Sequence, residues 1–149
     1  MRRLLILAAL SLLVLTACTA KGGSANWGSL KVSFGRVQAQ PAAWTADVQV
    51  ANRTEKTHVM QYNGQFKYTM HVYKDGNEIY KMAYGPLSKP ELLNILPGAT
   101  QSHIVTWGYT DQAGKKVAPG KYQVKAEIHA ITTSAQGGPL VGPIDVEVK

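Results

Sequence analysis

The residues of this chain best suited to chemistry are its histidines and methionines, whose imidazole nitrogens and thioether sulfurs suit copper and zinc. The candidate ligands among them are His58, Met60, Met70, His71, Met82 and His103. None of their spacings is typical of a metal site, and alternation along a strand turns Met70 inward and His71 outward. Methionine is also a common gap-filler in protein cores. We therefore expect no metal, and a copper or zinc carrier is the alternative.

Motifs for catalysis are absent from the sequence. It contains neither G-x-S-x-G nor H-E-x-x-H, and neither a P-loop nor a dinucleotide-binding fingerprint. The nine carboxylates are scattered, mostly near predicted turns, and no spacing pairs them for acid–base work. We expect a protein that is not an enzyme and that needs no cofactor.

The first residues have the pattern of a lipoprotein export signal. Arg2 and Arg3 precede an apolar run over residues 4–15, which is shorter than the roughly 20 residues that span a bilayer. "LTAC", residues 15–18, then places small residues before the chain's one cysteine. The sequence predicts a signal peptide over residues 1–17 and a lipid on Cys18. A secreted protein with an unpaired cysteine is the alternative.

This signal predicts a location in the cell envelope, with the membrane bound through the lipid on Cys18. Thr19, rather than Asp, follows the cysteine and favours the outer membrane if the host has one. Removal of residues 1–17 leaves 14 basic and nine acidic residues, a formal net charge of +5. The basic residues are scattered, so they indicate a solvated surface. We expect no nucleic-acid partner outside the cytoplasm.

The remainder of the chain is long enough for one domain. Residues 18–29 are rich in glycine and serine and are predicted to be an acylated, flexible tether, although Trp27 is unusual in such a segment. Residues 30–149 form the predicted domain.

From Leu30 onward, apolar residues recur with a period of two, which is typical of antiparallel strands with one solvated face. The inward positions predicted in the clearest runs are Trp44, Ala46, Val48 and Val50, then Phe66, Tyr68, Met70 and Val72, then Tyr122, Val124, Ala126, Ile128 and Ala130. Other predicted strands cover residues 31–38, 56–61, 78–82, 101–107 and 144–148. We expect about seven to eight strands.

Turn chemistry separates these strands. "KDGNE", residues 74–78, predicts an Asp-Gly hairpin. "LPGA" and "APGK" place Pro and Gly where type II turns require them. Tyr122, two residues after the second Pro-Gly, is placed like the tyrosine of a tyrosine corner, whose hydroxyl bonds to the backbone upstream. The sequence predicts an all-β protein with an immunoglobulin-like antiparallel β-sandwich.

Three longer stretches carry a family resemblance. They are "VANRTEKTHVMQYNGQFKYTMHVYKDGNEIYKMAYG", "LLNILPGATQSHIVTW" and "DQAGKKVAPGKYQVKAEI". Within them Asn52, the Gly64-Gln65-Phe66 start of a strand, Asp75-Gly76, Trp107 and Tyr122 follow the order of the BsuPI-type intracellular proteinase inhibitors. The chain resembles this family over roughly residues 45–130. The resemblance implies an immunoglobulin-like sandwich, no catalytic residues, and inhibition of a serine protease.

The segment over residues 84–94, "YGPLSKPELLN", replaces the Phe-Thr-Gln-like crossover of that family. It carries two prolines and no long apolar run, which predicts an exposed, stiff loop suited to binding. We expect Tyr84, Pro86, Leu87 and Lys89 to contact a partner protein. The two predicted functions are steric blockade of a serine protease by this loop, and an envelope scaffold or accessory role in which the lipoprotein binds another envelope component through a sheet face or edge.

Overall fold

The computed structural model describes residues 23–149, so the predicted signal peptide, Cys18 and the first part of the tether lie outside the described residues. Described residues form eleven strands and no helix that could cross a bilayer. The strands are β1 (Ser24–Trp27), β2 (Leu30–Ala39), β3 (Trp44–Asn52), β4 (His58–Tyr62), β5 (Phe66–Lys74), β6 (Asn77–Pro86), β7 (Glu91–Ile95), β8 (Thr100–Trp107), β9 (Gly120–Ile128), β10 (Ala130–Thr132) and β11 (Leu140–Val148).

The strands form three antiparallel sheets. Two of them have four strands each, in the orders β1-β2-β3-β8 and β11-β9-β5-β6. Taken in chain order as A, B, C, C′, E, F and G, the strands β2, β3, β5, β6, β8, β9 and β11 give sheets A-B-E and G-F-C-C′. This is the arrangement of an immunoglobulin-like sandwich. The predicted fold class is therefore confirmed, with eight strands in these two sheets.

The third sheet, in the order β10-β4-β7, adds three strands to the sandwich. Neither β7 nor β10 was predicted from the sequence. β7 begins "ELL", where two adjacent leucines hide the alternation, and β10 has only three residues.

Alternation correctly predicted the core. The inward residues named above on β3, β5 and β9 are buried, except Phe66, which is 36% exposed. β9 pairs with β5 only from Tyr68 onward, so Phe66 lies beyond this paired part of the sheet and has a register partner only on β6, at Pro86. The prediction that Phe66 points into the core is wrong for this reason.

Part of the predicted tether is a strand. β1 pairs with β2 in register from Ser24 opposite Ser33 to Trp27 opposite Leu30. Trp27 is 4% exposed, and its indole Nε1 donates a hydrogen bond to the carbonyl of Gly137 at 2.6 Å. The ordered domain therefore begins before residue 30, because this aromatic ring closes one edge of the core.

The predicted turns are confirmed at two places of three. Asp75 and Gly76 have φ angles of 50° and 82°, which join β5 to β6 by a two-residue hairpin turn. Gly98 has a φ of 73°, and Ala99 N–H donates to the Leu96 carbonyl at 3.0 Å, as a type II turn requires. Gly120 differs, since its φ of 146° is far from a type II turn. The preceding Ala118 carbonyl instead accepts from the hydroxyl of Tyr122, so the predicted tyrosine corner is present.

Candidate binding site at one end of the sandwich

The third sheet, called the terminal sheet below, is built from connections that meet at one end of the sandwich. β4 lies in the B–C connection, β7 in the C′–E connection and β10 in the F–G connection. Because antiparallel strands alternate in direction, these three connections share an end. In antibody variable domains the B–C and F–G loops at this end contact antigen. The topology thus places the terminal sheet where sandwich domains commonly carry binding residues.

The predicted contact residues lie at this end, but not on one long loop. Tyr84 and Pro86 belong to β6, and the segment from Glu91 onward belongs to β7. Only residues 87–90, called the β6–β7 link below, connect the two strands. The predicted loop over residues 84–94 is therefore wrong in extent, because both of its ends pair with neighbouring strands. Leu87 and Lys89 do lie in the link.

The link is anchored at its first residue. The backbone N–H of Leu87 donates to the carbonyl of Gln65 at 2.9 Å, and its side chain packs against the core. Leu87 is thus an internal support more than a contact residue. The chain after it bends outward, so that Ser88, Lys89 and Pro90 are exposed.

A second anchor holds the far side of the link. The ammonium of Lys67 on β5 contacts the carboxylate of Glu91 at 2.5 Å. Lys67 reaches it by passing over Gly85, where an added Cβ would lie 3.1 Å from the Lys67 side chain. Gly85 also has a φ of 64°, which favours glycine. Three exposed residues, Ser88, Lys89 and Pro90, are therefore held between two fixed points.

Tyr84 fastens the two large sheets together. Its hydroxyl donates to the Thr106 carbonyl on β8 at 2.5 Å and accepts from the Thr106 N–H at 3.3 Å. Burial raises the pKa of this hydroxyl, so it stays protonated and able to donate. The hydroxyl of Tyr84 is thus already used within the protein, and part of its ring is left for a partner.

Bonding of Thr106 to Tyr84 also shows which groups of the edge strand β8 face outward. On an antiparallel edge strand, the backbone N–H and C=O groups of one residue bond the neighbouring strand, and those of the next residue point away from the sheet. Ser102 and Ile104 share the parity of Thr106, so their backbone groups point away from β3. The side chain of Ile104 is 64% exposed on this strand.

The outer face of the terminal sheet is partly apolar. Gln61 on β4 lies between Leu92 on β7 and Ile131 on β10 in register. Leu92 is 68% exposed. Val59, Gln61 and Ile131 line a shallow depression of about 230 Å³ together with Thr132 and Thr133. This face begins immediately after the β6–β7 link, so the two could contact one partner together.

The inner face of the terminal sheet joins the core. The hydroxyls of Tyr62 and Tyr68 share a hydrogen bond of 2.7 Å, and burial raises the pKa of both groups. Asn52 is buried at the end of β3, and its amide donates to the carbonyls of Lys56 and Ile95 at 2.7 and 2.8 Å. The resemblance included this asparagine, and its contacts identify it as a structural residue.

The candidate histidines and methionines are spread over β4, β5, β6 and β8. Met60 and Met70 are buried in the core, Met82 is exposed on β6, and His103 stacks on Tyr68 at 4.5 Å between ring centroids. Among residues 23–149, no three His, Cys, Asp or Glu side chains are placed to hold a metal ion. Alternation along the strand places Met70 and His71 on opposite faces of β5, although both are buried.

His71 forms the one histidine–carboxylate network found in the described chain. Although it lies on the outer face, it is only 7% exposed, with Nδ1 2.6 Å from a Glu78 carboxylate oxygen and Nε2 3.5 Å from a Glu127 oxygen. The hydrogen bond from His71 lowers the pKa of Glu78. Nearby, His129 Nε2 lies 2.6 Å from the Thr69 hydroxyl. The network ties β5, β6 and β9 together.

Sequence reasoning missed the residues that hold the link. Lys67 and Glu91 are 24 positions apart, and no local pattern connects them. Gly85 offered a signal, since a glycine inside a strand often marks a bulge, a bend or a close approach of another group. Its role depends on the Lys67 side chain that crosses it.

Comparisons with known proteins are sparse. No protein-family model matches the chain, and no curated protein matches it. Among solved structures, a β-glucosidase from Kluyveromyces marxianus in complex with glucose is similar at 16% identity and a TM-score of 0.43, over 83% of this chain and 14% of that one. A β-glucosidase, EmGH1, from Erythrobacter marinus gives 16% identity and 0.39, over 79% and 15%. The chain spans about a seventh of these enzymes, and likeness at this level carries no functional argument.

Proposed function

We propose that this protein is a non-enzymatic lipoprotein of the cell envelope that blocks a serine protease with the β6–β7 link. Its membrane attachment is the lipid on Cys18, and its binding end is the terminal sheet with the link beside it. The resemblance to BsuPI-type inhibitors supports the inhibitory role, and the link replaces the family's usual crossover.

The observation that carries this proposal is the double anchoring of an exposed, proline-flanked link. Leu87 is fixed by Gln65 and Glu91 by Lys67, while Ser88, Lys89 and Pro90 between them are exposed. Protease–inhibitor complexes form with little backbone movement. A segment already rigid in the free protein loses little conformational entropy on binding, which favours affinity.

The experiment is an inhibition assay with the full-length protein in detergent against a panel of purified serine proteases. The test variant replaces the exposed residues Pro86, Ser88 and Lys89 by alanine and leaves Tyr84 and Leu87 intact, because those two support the fold. The matched control is Lys115→Ala, an exposed lysine at the opposite end of the sandwich. We expect dose-dependent inhibition that the triple variant loses and the control keeps. A panel that is not inhibited at all would contradict the proposal.

The lipid anchor has a separate test. Cys18→Ser removes the thiol that would receive the lipid, so the variant should leave the membrane fraction and stop incorporating labelled palmitate. The unchanged protein should partition into a detergent phase. A Cys18→Ser protein that still incorporates labelled palmitate would rule out this anchor.

The second candidate function is an accessory lipoprotein that binds another envelope component through a sheet edge. Outward backbone groups at Ser102 and the exposed Ile104 on β8 favour it, since an unpaired edge can accept a further strand. Cross-linking followed by purification should then recover an envelope component that is not a protease. Ile104→Lys should abolish this capture, whereas the triple alanine variant at Pro86, Ser88 and Lys89 should not.

A further inference from the structure

Lys89 is the charged residue of the β6–β7 link. It is exposed at the bend of the link, and its neighbour Glu91 is already paired with Lys67. No ion pair formed by residues 23–149 includes Lys89. Its ammonium is therefore available to a carboxylate on a partner.

Pro90 directly follows Lys89, and a proline in this position hinders cleavage of the bond between them by a protease. A proline has no backbone N–H, and its ring fixes φ near −65°. As the residue after the scissile bond, proline offers the enzyme a tertiary amide whose ring crowds the leaving-group side. A Lys-Pro bond can thus be bound at a protease active site and resist cleavage there.

Contacts on both sides of the link limit how far its backbone can move. Gln65 holds Leu87, and the Lys67–Glu91 pair holds the residue after Pro90. Prolines at 86 and 90 further restrict the backbone on either side of Lys89. The lysine is consequently presented on a stiff segment, as a specificity residue must be for tight binding.

Resting on the proposed inhibitory function, we propose that Lys89 enters the acidic primary specificity pocket of a trypsin-like serine protease. In such enzymes an aspartate at the base of the pocket selects a basic side chain. Pro90 then keeps the bond after Lys89 intact, so that the complex is inhibitory and the protein is not a substrate. No covalent step is involved.

The test compares trypsin, chymotrypsin and subtilisin as probes with the full-length protein. We expect inhibition of trypsin, a loss of at least about 100-fold for Lys89→Ala, and retention within about 10-fold for Lys89→Arg, because only a basic side chain pairs with the pocket aspartate. Lys89→Phe should transfer inhibition to chymotrypsin. Lys115→Ala should inhibit like the unchanged protein.

The outcomes separate this inference from the function on which it rests. Inhibition of subtilisin or chymotrypsin but not trypsin would keep the inhibitory function and overturn the role of Lys89. Full trypsin inhibition by Lys89→Ala would do the same. Inhibition of none of the three would overturn both. Mass spectrometry after incubation with trypsin should find the 89–90 bond intact in the unchanged protein and cut in Pro90→Ala, and a cut bond in the unchanged protein would overturn the role of Pro90.

Discussion

The hydroxyl of Tyr122 donates a hydrogen bond to the backbone carbonyl of Ala118 across 2.6 Å and so ties the start of β9 to the connection before it. The same ring packs edge-on against Trp107 at 5.3 Å between centroids. The Lys74 ammonium also lies 3.2 Å from this hydroxyl. One phenol thus joins the E–F connection, the central core and the end of β5.

Tyr122→Phe should lower the free energy of unfolding by about 1–2 kcal/mol, since it leaves the Ala118 carbonyl without its partner and keeps the ring. Urea unfolding followed by tryptophan fluorescence measures this. The matched control is Tyr73→Phe, whose hydroxyl makes only a 3.4 Å contact with Glu78 at an exposed position. Equal stabilities of the two variants would show that the corner bond contributes nothing.

Asn52→Ala should destabilise the protein by about 2–4 kcal/mol, because the carbonyls of Lys56 and Ile95 lose their donors beside a buried site. The Thr54 N–H also loses the Asn52 Oδ1 acceptor at 3.0 Å. The exposed Asn94→Ala on β7 serves as the control and should change stability by less than about 0.5 kcal/mol. Thermal unfolding of both variants measures the difference. Equal unfolding temperatures for Asn52→Ala and Asn94→Ala would contradict a structural role for Asn52.

Removal of β1 should weaken the domain strongly. A chain of residues 23–149 keeps the Trp27 ring and its hydrogen bond to Gly137, and a chain of residues 30–149 loses them. Loss of a buried tryptophan typically costs about 3–5 kcal/mol. The shorter chain should therefore unfold at a clearly lower urea concentration. Identical midpoints would mean that residues 24–29 act only as a tether.

Stability should fall on mild acidification because of His103. Burial, followed by the charge of Lys67, lowers the pKa of His103 below its ordinary value of 6.5. As the pH falls through 6.5, the unfolded chain takes up a proton at this site that the folded protein resists, so the free energy of unfolding decreases. The decrease continues until the pH reaches the folded pKa.

His103→Phe tests this expectation while preserving a flat ring to stack on Tyr68. Its unfolding free energy, measured between pH 7.5 and 5, should fall less than that of the unchanged protein. Ile104→Val on the same strand is the control and should keep the original slope. A parallel pH profile for His103→Phe would show that this histidine does not contribute.

The buried faces of β3, β5 and β9 followed from the sequence, because side-chain direction reverses at every residue of a strand. The Asp75-Gly76 hairpin and the Tyr122 corner followed as well, since both depend on residues within four positions of each other. These local rules were enough to predict an immunoglobulin-like sandwich. They failed for Phe66, because its burial depends on where the pairing of β9 with β5 ends.

The end of the sandwich that carries the terminal sheet required the tertiary structure. Trp27 meets Gly137 across 110 positions, and Lys67 meets Glu91 across 24, so no local period relates either pair. Strands β7 and β10 are too short or too irregular to be recognised alone, and pairing with β4 stabilises them. The sequence by itself determined most of the buried positions on β3, β5 and β9 and two of the three predicted turns. Tertiary pairing decided which exposed residues lie together, because contacts between distant segments depend on the register of whole sheets.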